Sequence, residues 1–215
     1  MTAPNFASSV IAMAPPRVID PQGVYHVMSR GNFRQIVFLD DDEFARYLQL
    51  LHRATVKRGW IILDWCLIPN HIHLIIQLTN GGLSDGMRDL NGGFSRWRNA
   101  RRGQTGTGHL WKNRFKSLDL DDDVHFREVL RYVAANPVRH GLVEHPEDWP
   151  WSGFRATIGL EYPYAFHDPS ELLRYFGSTP REAIRWYRRF VKEGLVRAGH
   201  APWSDQGDES RTAHG

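Results

Sequence analysis

Two histidines separated by one residue, His71 and His73, lie in a run of alternating apolar side chains. In a strand, residues two positions apart point to the same face, with Cα atoms roughly 7 Å apart. Two imidazoles at that spacing can bind one cation. The pattern alone is weak, because two partly exposed sheet histidines show the same spacing.

A second pair of polar residues occurs further along, where Tyr132 and Asn136 are four residues apart. In a helix they share one face, separated by about 6 Å of rise. The apolar side of this helix is predicted at Phe126, Val129, Leu130 and Val133. Tyr132 would then point beside the apolar stripe, toward a sheet. Each residue also has an ordinary structural explanation. Tyr132 could be an amphipathic core residue, and Asn136 could be the end of a helix before Pro137.

The elements that position these side chains follow from hydrophobic periodicity and turn residues. Strands are predicted at 24–29, 60–67, 72–78 and 111–120, and helices at 41–58, at 84–102, and from 121–123 to about Asn136. The third helix is expected to end there because Pro137 disfavours helical geometry just before it. This order predicts an α+β fold, an antiparallel sheet with helices on one face in a ferredoxin or RNA-recognition-motif layout, followed by a small C-terminal helical extension.

Charge is distributed unevenly along the chain. The net charge is only +3, yet residues 88–116 carry eight basic side chains and one acidic one. Such a patch suits a polyanion such as nucleic acid, although a solvated helix face gives the same composition. The single cysteine excludes a disulfide within the chain, and no apolar run is long enough to span a bilayer, so a cytoplasmic protein with no membrane partner is expected.

Several segments together resemble a known family. Residues 68–74, Ile-Pro-Asn-His-Ile-His-Leu, resemble the metal-binding segment of HUH endonucleases. Residues 131–141, with Arg-Tyr-Val and Asn-Pro-Val-Arg, resemble the nucleophile helix of REP-associated tyrosine transposases, which are related to single-tyrosine insertion-sequence transposases. Further matches are Tyr25-His26-Val27, Arg30-Gly31-Asn32, Leu110-Trp111, Arg114 to Ser117 and Trp149 to Ser152. The chain departs from the family at Ile68, at His140 where Ala is common, and at Gly153-Phe154.

The resemblance implies a single-stranded DNA endonuclease and strand transferase that acts on hairpin DNA. It implies that His71, His73 and Asn136 bind Mg²⁺ or Mn²⁺, and that Tyr132 is the nucleophile. The product would be a 5′-phosphotyrosine link and a free 3′-hydroxyl. The implied partners are REP-like single-stranded DNA hairpins, and no small-molecule cofactor is expected. The catalytic domain would span 17–143 and the extension 144–198, between disordered ends at 1–16 and 199–215.

DNA contacts are predicted from the basic and aromatic side chains. Arg30 and Asn32 lie in a candidate DNA-contacting loop, and phosphates would be contacted by Arg96, Arg101, Lys112 and Arg114. Trp111 and Phe115 are candidates for stacking on unpaired bases, with burial in the core as the alternative.

Two other classes of protein fit parts of the pattern. A non-catalytic protein that binds single-stranded nucleic acid on the same scaffold would need the basic patch but not the set of His71, His73, Tyr132 and Asn136. A structural metalloprotein could use the eleven histidines. The lack of Cys-x-x-Cys pairs disfavours a structural zinc site.

Overall fold

The structure is a computed structural model that describes residues 19–104 and 108–196. In chain order its elements are β1 (Val24–Arg30), α1 (Asp41–Arg58), β2 (Ile61–Ile68), β3 (His71–Gln77), α2 (Leu83–Arg101), β4 (Lys116–Asp119), α3 (Asp123–Arg139), α4 (Phe154–Thr157), α5 (Pro169–Leu173) and α6 (Pro180–Val196). The disorder predicted for 1–16 and 199–215 lies outside the described residues. Among the helices of the described ranges, none is long and apolar enough to cross a bilayer.

The four strands form one antiparallel sheet in the order β2-β3-β1-β4. β3 pairs with β2 on one edge and with β1 on the other, where Met28 lies opposite His73 and Arg30 opposite His71. The α+β class and the antiparallel sheet are therefore confirmed. The two histidines lie on a central strand whose backbone is paired on both sides, so the hydrogen bonds of the sheet hold them in place.

Helices cover both faces of the sheet. Leu74 and Ile76 pack into a core with α1 and α2, whereas Ile75 packs into a second core with α3 and α6. The prediction of helices on one face is therefore wrong. The histidine side of β3 also carries Ile75, which is fully buried, and an apolar side chain there needs a covering element.

The bounds of α1 and α2 depend on the residues that cap them. α1 starts after Asp40, whose carboxylate accepts a backbone N–H of the first turn, and stops at Gly59 in the left-handed conformation. This confirms the predicted helix 41–58. α2 starts at Leu83 after Gly82, one residue before the predicted start at residue 84, and no side chain caps it.

α3 continues through Pro137 to Arg139, so the predicted end near Asn136 is wrong. A proline lacks its own N–H, and close to the end of a helix this loss removes a single hydrogen bond. The carbonyls of Asn136 and Pro137 still accept hydrogen bonds, from the N–H groups of His140 and Leu142. The extra turn keeps Asn136 inside the helix and fully buried.

β4 is shorter than the predicted strand 111–120 and has four residues. Trp111 forms an isolated bridge with Gly31, and the Lys112 N–H donates to the Arg30 carbonyl at 2.9 Å. The chain then leaves the sheet and returns to it at β4. This detour brings the basic segment beside the end of β1.

The segment after residue 143 packs directly on the sheet. Tyr187 of α6 is buried, and its hydroxyl donates to Asp64 Oδ2 of β2 at 3.1 Å. The Arg131 guanidinium of α3 lies 4.8 Å from the centre of the Phe190 ring. Because Asp64 is fully buried, its pKa is raised to about 7. The C-terminal helices are thus joined to the sheet through a buried carboxyl group.

Asp64 should make the stability of the fold depend on pH. Its folded-state pKa of about 7 exceeds the ordinary value of 3.8, so the folded protein keeps a proton that the unfolded chain releases. Asp64 should therefore contribute a decrease in the free energy of unfolding as pH rises from about 4 through about 7, opposite in sign to the contribution of buried histidines with lowered pKa. The melting temperature of Asp64→Asn relative to wild type should therefore rise with pH across this range, while the exposed-residue control Asp121→Asn should keep the pH dependence of wild type. An unchanged pH dependence in Asp64→Asn would contradict the assignment.

Candidate functional site

The histidine side of β3 forms the centre of the candidate site. His71 and His73 are 3% and 0% exposed, and their ring centres lie 4.8 Å apart. Leu74 and Ile76 lie in the core on the opposite face. The two imidazoles therefore share one face, as the alternation predicts, and they are buried beneath α3.

α3 places both of its predicted functional residues against these imidazoles. The stripe that docks the helix is buried throughout and consists of Phe126, Val129, Leu130 and Val133. Asn136 Nδ2 lies 3.2 Å from His73 Nε2, and the Tyr132 ring centre lies 5.3 Å from that of His73. The structure thus brings together all four residues predicted for the chemistry.

The hydrogen bonds determine which nitrogen of His73 holds a proton. An amide nitrogen only donates, so Asn136 Nδ2 donates to His73 Nε2, which must be the unprotonated nitrogen. The proton of neutral His73 is then on Nδ1, which lies 2.9 Å from His26 Nε2 and donates to it. The lone pair of Nε2 is thereby directed toward Asn136.

His71 is held in the same way by its neighbour in the chain. Its Nδ1 lies 2.7 Å from Oδ1 of Asn70, an atom that only accepts, so Nδ1 is the protonated nitrogen. This leaves the lone pair on Nε2. A hydrogen bond on the ring nitrogen opposite the ligating one is the usual way in which proteins orient a metal-binding imidazole.

The buried imidazoles stay neutral at ordinary pH. Burial lowers the pKa of His71 and of His26 to about 3, from an ordinary value of 6.5. Burial, assisted by the adjacent His71, lowers the pKa of His73 well below its ordinary value. Neutral imidazole is the protonation state that can bind a cation.

The third potential ligand is an amide oxygen. Among the described residues, no three His, Cys, Asp or Glu side chains come together as a metal-binding group. Asn136 Oδ1, however, is buried and makes no hydrogen bond of regular geometry. An orphaned buried oxygen beside two oriented imidazoles fits a divalent cation that accepts nitrogen and oxygen ligands.

Three further side chains lie at the site that the sequence did not predict to belong to it. His26 on β1 supports His73, as described above. The Arg139 guanidinium carbon lies 5.2 Å from the centre of the Tyr132 ring, and the His140 ring centre lies 4.9 Å from that of His71. Arg139 follows Tyr132 by seven residues on α3, a spacing that returns to the same side of a helix, so helical periodicity was the available signal for Arg139.

Three of the predicted DNA-binding residues lie close together at the end of β1, namely Arg30, Asn32 and Lys112. The Asn32 N–H donates to the Leu110 carbonyl at 2.9 Å, next to the bridge that joins Trp111 to β1. Arg30 lies opposite His71 in the sheet, so this edge adjoins the imidazoles. Arg114 is exposed two residues beyond Lys112.

The arginines of α2 that are predicted to contact phosphates lie away from the histidines. α2 covers the face of the sheet opposite the histidines. Arg101 makes ion pairs of 2.9 Å with both Asp40 and Asp42, so its charge is largely matched within the protein. Arg96 is exposed and lines a groove with Arg53. Neither arginine lies beside Tyr132, and any contact that they make with DNA is remote from that tyrosine.

The aromatic side chains predicted to stack on bases mostly make contacts within the protein. Phe115 is 6% exposed and belongs to the core that contains α1 and α2, so its prediction as a stacking residue is wrong. Trp111 is partly buried, and its Nε1 donates to the Asn91 carbonyl at 3.1 Å. By contrast, Phe33, which directly follows the predicted Arg30-Gly31-Asn32 loop, is 93% exposed.

Comparison with known proteins identifies the family to which this chain is similar. The family model described as IS200-like transposase matches residues 21–136, more than half of the chain. The REP-associated tyrosine transposase of Escherichia coli is 31% identical over 117 residues, which cover 51% of this chain and 66% of that protein. A candidate REP-associated tyrosine transposase of Haemophilus influenzae is 33% identical over 108 residues, or 46% and 61% of the two chains. The chain thus spans less than two thirds of the length of each.

A solved structure supports the same fold. It is described as a REP-associated tyrosine transposase bound to a REP hairpin, and it superimposes with a TM-score of 0.58 over 73% of this chain and 98% of its own, at 21% identity. A likeness at this identity shows the fold. From the family match over the sheet and the helix that carries Tyr132, the chain belongs to the IS200-like transposase family, and the relatives that it matches are REP-associated tyrosine transposases.

Proposed function

We propose that this protein cleaves and rejoins single-stranded DNA beside hairpins, through a covalent link to Tyr132 that requires a divalent cation. The observation that supports the proposal most directly is the contact of α3 with β3. It places Tyr132 and Asn136 of one helix against His73, with the Nε2 lone pair of His73 turned toward the helix. A protein that only binds nucleic acid has no need of this buried polar arrangement, which is costly to desolvate.

The proposed reaction is a transesterification at one phosphodiester. The Tyr132 Oη attacks phosphorus, a bond forms between them, and the bond from phosphorus to the 3′-oxygen breaks. The released strand ends in a 3′-hydroxyl, which gains the proton that the phenol has lost. The number of phosphoester bonds is unchanged, so attack of a 3′-hydroxyl on the phosphotyrosine rejoins strands without an energy source.

The proposed cation ligands are His71, His73 and Asn136, and the cation is Mn²⁺ or Mg²⁺. When bound, such an ion polarises the scissile phosphate and orients it. Mixed imidazole and amide ligation suits Mn²⁺, while Mg²⁺ prefers oxygen. His26 and Asn70 hold the imidazoles in the required tautomers, and Arg139 keeps a positive charge beside the Tyr132 ring.

The proposed substrate is a DNA hairpin with adjacent unpaired nucleotides. The name of the solved relative states that it is bound to a REP hairpin, and this chain shares its fold. The basic edge formed by Arg30, Lys112 and Arg114 adjoins the histidines and would contact the phosphates of the strand.

Tyr132→Phe should abolish the covalent adduct and leave DNA binding within about twofold of wild type. The substitution removes one oxygen from a partly buried ring and creates no cavity. The test incubates both proteins with hairpin DNA labelled on either side of the nick, then denatures them and maps the adduct. Label from the strand 3′ of the nick should stay on the wild-type protein. An adduct on another residue, a 3′-phosphate link, or full cleavage by the variant would contradict the mechanism.

Cleavage should require added Mn²⁺ or Mg²⁺ and should fall below detection in His71→Ala and in His73→Ala. Each variant removes one ligand, and the remaining two donors hold a cation poorly. The exposed-residue control His52→Ala should cleave like wild type. Undiminished cleavage by either site variant, or in excess chelator, would reject the metal assignment.

His26→Phe should weaken Mn²⁺ binding about 10–100-fold, because His73 loses the acceptor that fixes its tautomer. The measurement is calorimetric titration of the whole protein with Mn²⁺, accompanied by the melting temperature. His26→Gln offers an acceptor oxygen and should recover part of the affinity. Equal Mn²⁺ affinity in all three proteins would show that His26 only fills space.

A further inference from the structure

Phe33 has the most unusual combination of exposure and backbone conformation in the described part of the chain. It is 93% exposed, and its φ of 48° and ψ of 33° are left-handed. Arg34 follows with a φ of 58°. Residues with a side chain rarely adopt this conformation, and two in succession are rarer still. An unfavourable backbone that exposes an aromatic ring to water needs a reason outside the stability of the fold.

The backbone around Phe33 is held firmly from both sides. The Gly31 N–H donates to the Asn70 carbonyl at 2.8 Å, and the Val37 N–H donates to the Pro69 carbonyl at 2.6 Å. The Gln35 side chain donates to the Leu110 carbonyl at 2.8 Å. The loop is therefore fixed between these anchors, and its conformation presents the Phe33 ring to solvent.

The anchors also fix where the ring is presented. Pro69 and Asn70 directly precede His71, and Asn70 holds the His71 ring. Arg30, at the start of the loop, lies opposite His71 in the sheet. Arg34 is exposed next to Phe33. An exposed aromatic ring thus lies in a loop whose backbone is anchored to the two residues before the proposed cation ligand His71, with an arginine on either side of it in the chain.

We propose that Phe33 stacks on an unpaired nucleotide of the DNA strand held for attack by Tyr132, while Arg30 and Arg34 contact its phosphates. The inference rests on the proposed function and names a residue that positions the strand. Aromatic stacking beside basic groups is the common mode of binding unpaired bases. The basic neighbours favour a polyanion over an apolar protein surface. Phe115 cannot fill this role, since it is buried.

The first experiment measures binding of a hairpin in which 2-aminopurine replaces each unpaired base in turn. With wild type, one position should show fluorescence quenching on binding. Phe33→Ala should abolish this quenching and weaken binding roughly 5–100-fold. Phe33→Trp should retain both properties. Tyr162, which is 96% exposed, is the matched aromatic control, and Tyr162→Ala should behave like wild type.

The second experiment separates a role in DNA binding from a role in folding. Phe33→Gly removes both the ring and the left-handed strain, because glycine adopts this conformation freely. Its melting temperature should rise above that of wild type while its hairpin affinity falls to that of Phe33→Ala. A lower melting temperature together with unchanged affinity would show that Phe33 supports the loop, and would overturn the inference.

The outcomes distinguish this inference from the proposed function. Wild-type adduct formation with unaltered binding and quenching in Phe33→Ala would overturn the stacking role and leave the cleavage mechanism intact. Quenching that depends on Phe33, without any adduct, would support the stacking role and overturn cleavage by Tyr132. A wild type that does not bind the hairpin would overturn both.

Discussion

Burial of β3 on both faces is the constraint on which the site depends. One side supplies apolar residues to the core with α1 and α2, and the other places His71 and His73 under α3. Imidazoles removed from water must be hydrogen-bonded. The partners come from three different elements: Asn70 in the turn before β3, His26 on β1, and Asn136 on α3. The same contacts that satisfy the imidazoles direct their lone pairs to one region, beside the Tyr132 ring.

Basic side chains have different roles on the two faces of the sheet. The face covered by α1 and α2 holds much of the basic stretch, where Glu43, itself fully buried, pairs with Arg98 and Arg102. Arginines used in this way stabilise the packing of the two helices, and they contribute little field to the opposite face. Positive charge near the histidines comes instead from the edge of β1 and from Arg139 at the end of α3.

Backbone strain near the site is tolerated because rigid elements surround it. The loop after β1 is bonded to Pro69, Asn70 and Leu110, so the sheet and the basic segment together hold Phe33 in a conformation that it would not adopt alone. The buried Asp64 shows a related compromise, because a carboxyl group with a raised pKa joins the C-terminal helices to β2. In both places a locally unfavourable group is held by packing that extends well beyond it.

The sequence alone determined the order of elements, the shared face of His71 and His73, and the helical pairing of Tyr132 with Asn136, since each depends on local periodicity. It did not reveal that α3 covers the face opposite α1 and α2, because one strand's alternation does not say what covers each side. Pairing between distant segments also decided that Phe115 is buried, that Arg101 is neutralised by Asp40 and Asp42, and that His26 supports His73. Such contacts join residues tens of positions apart, and only the folded chain brings them within hydrogen-bond distance.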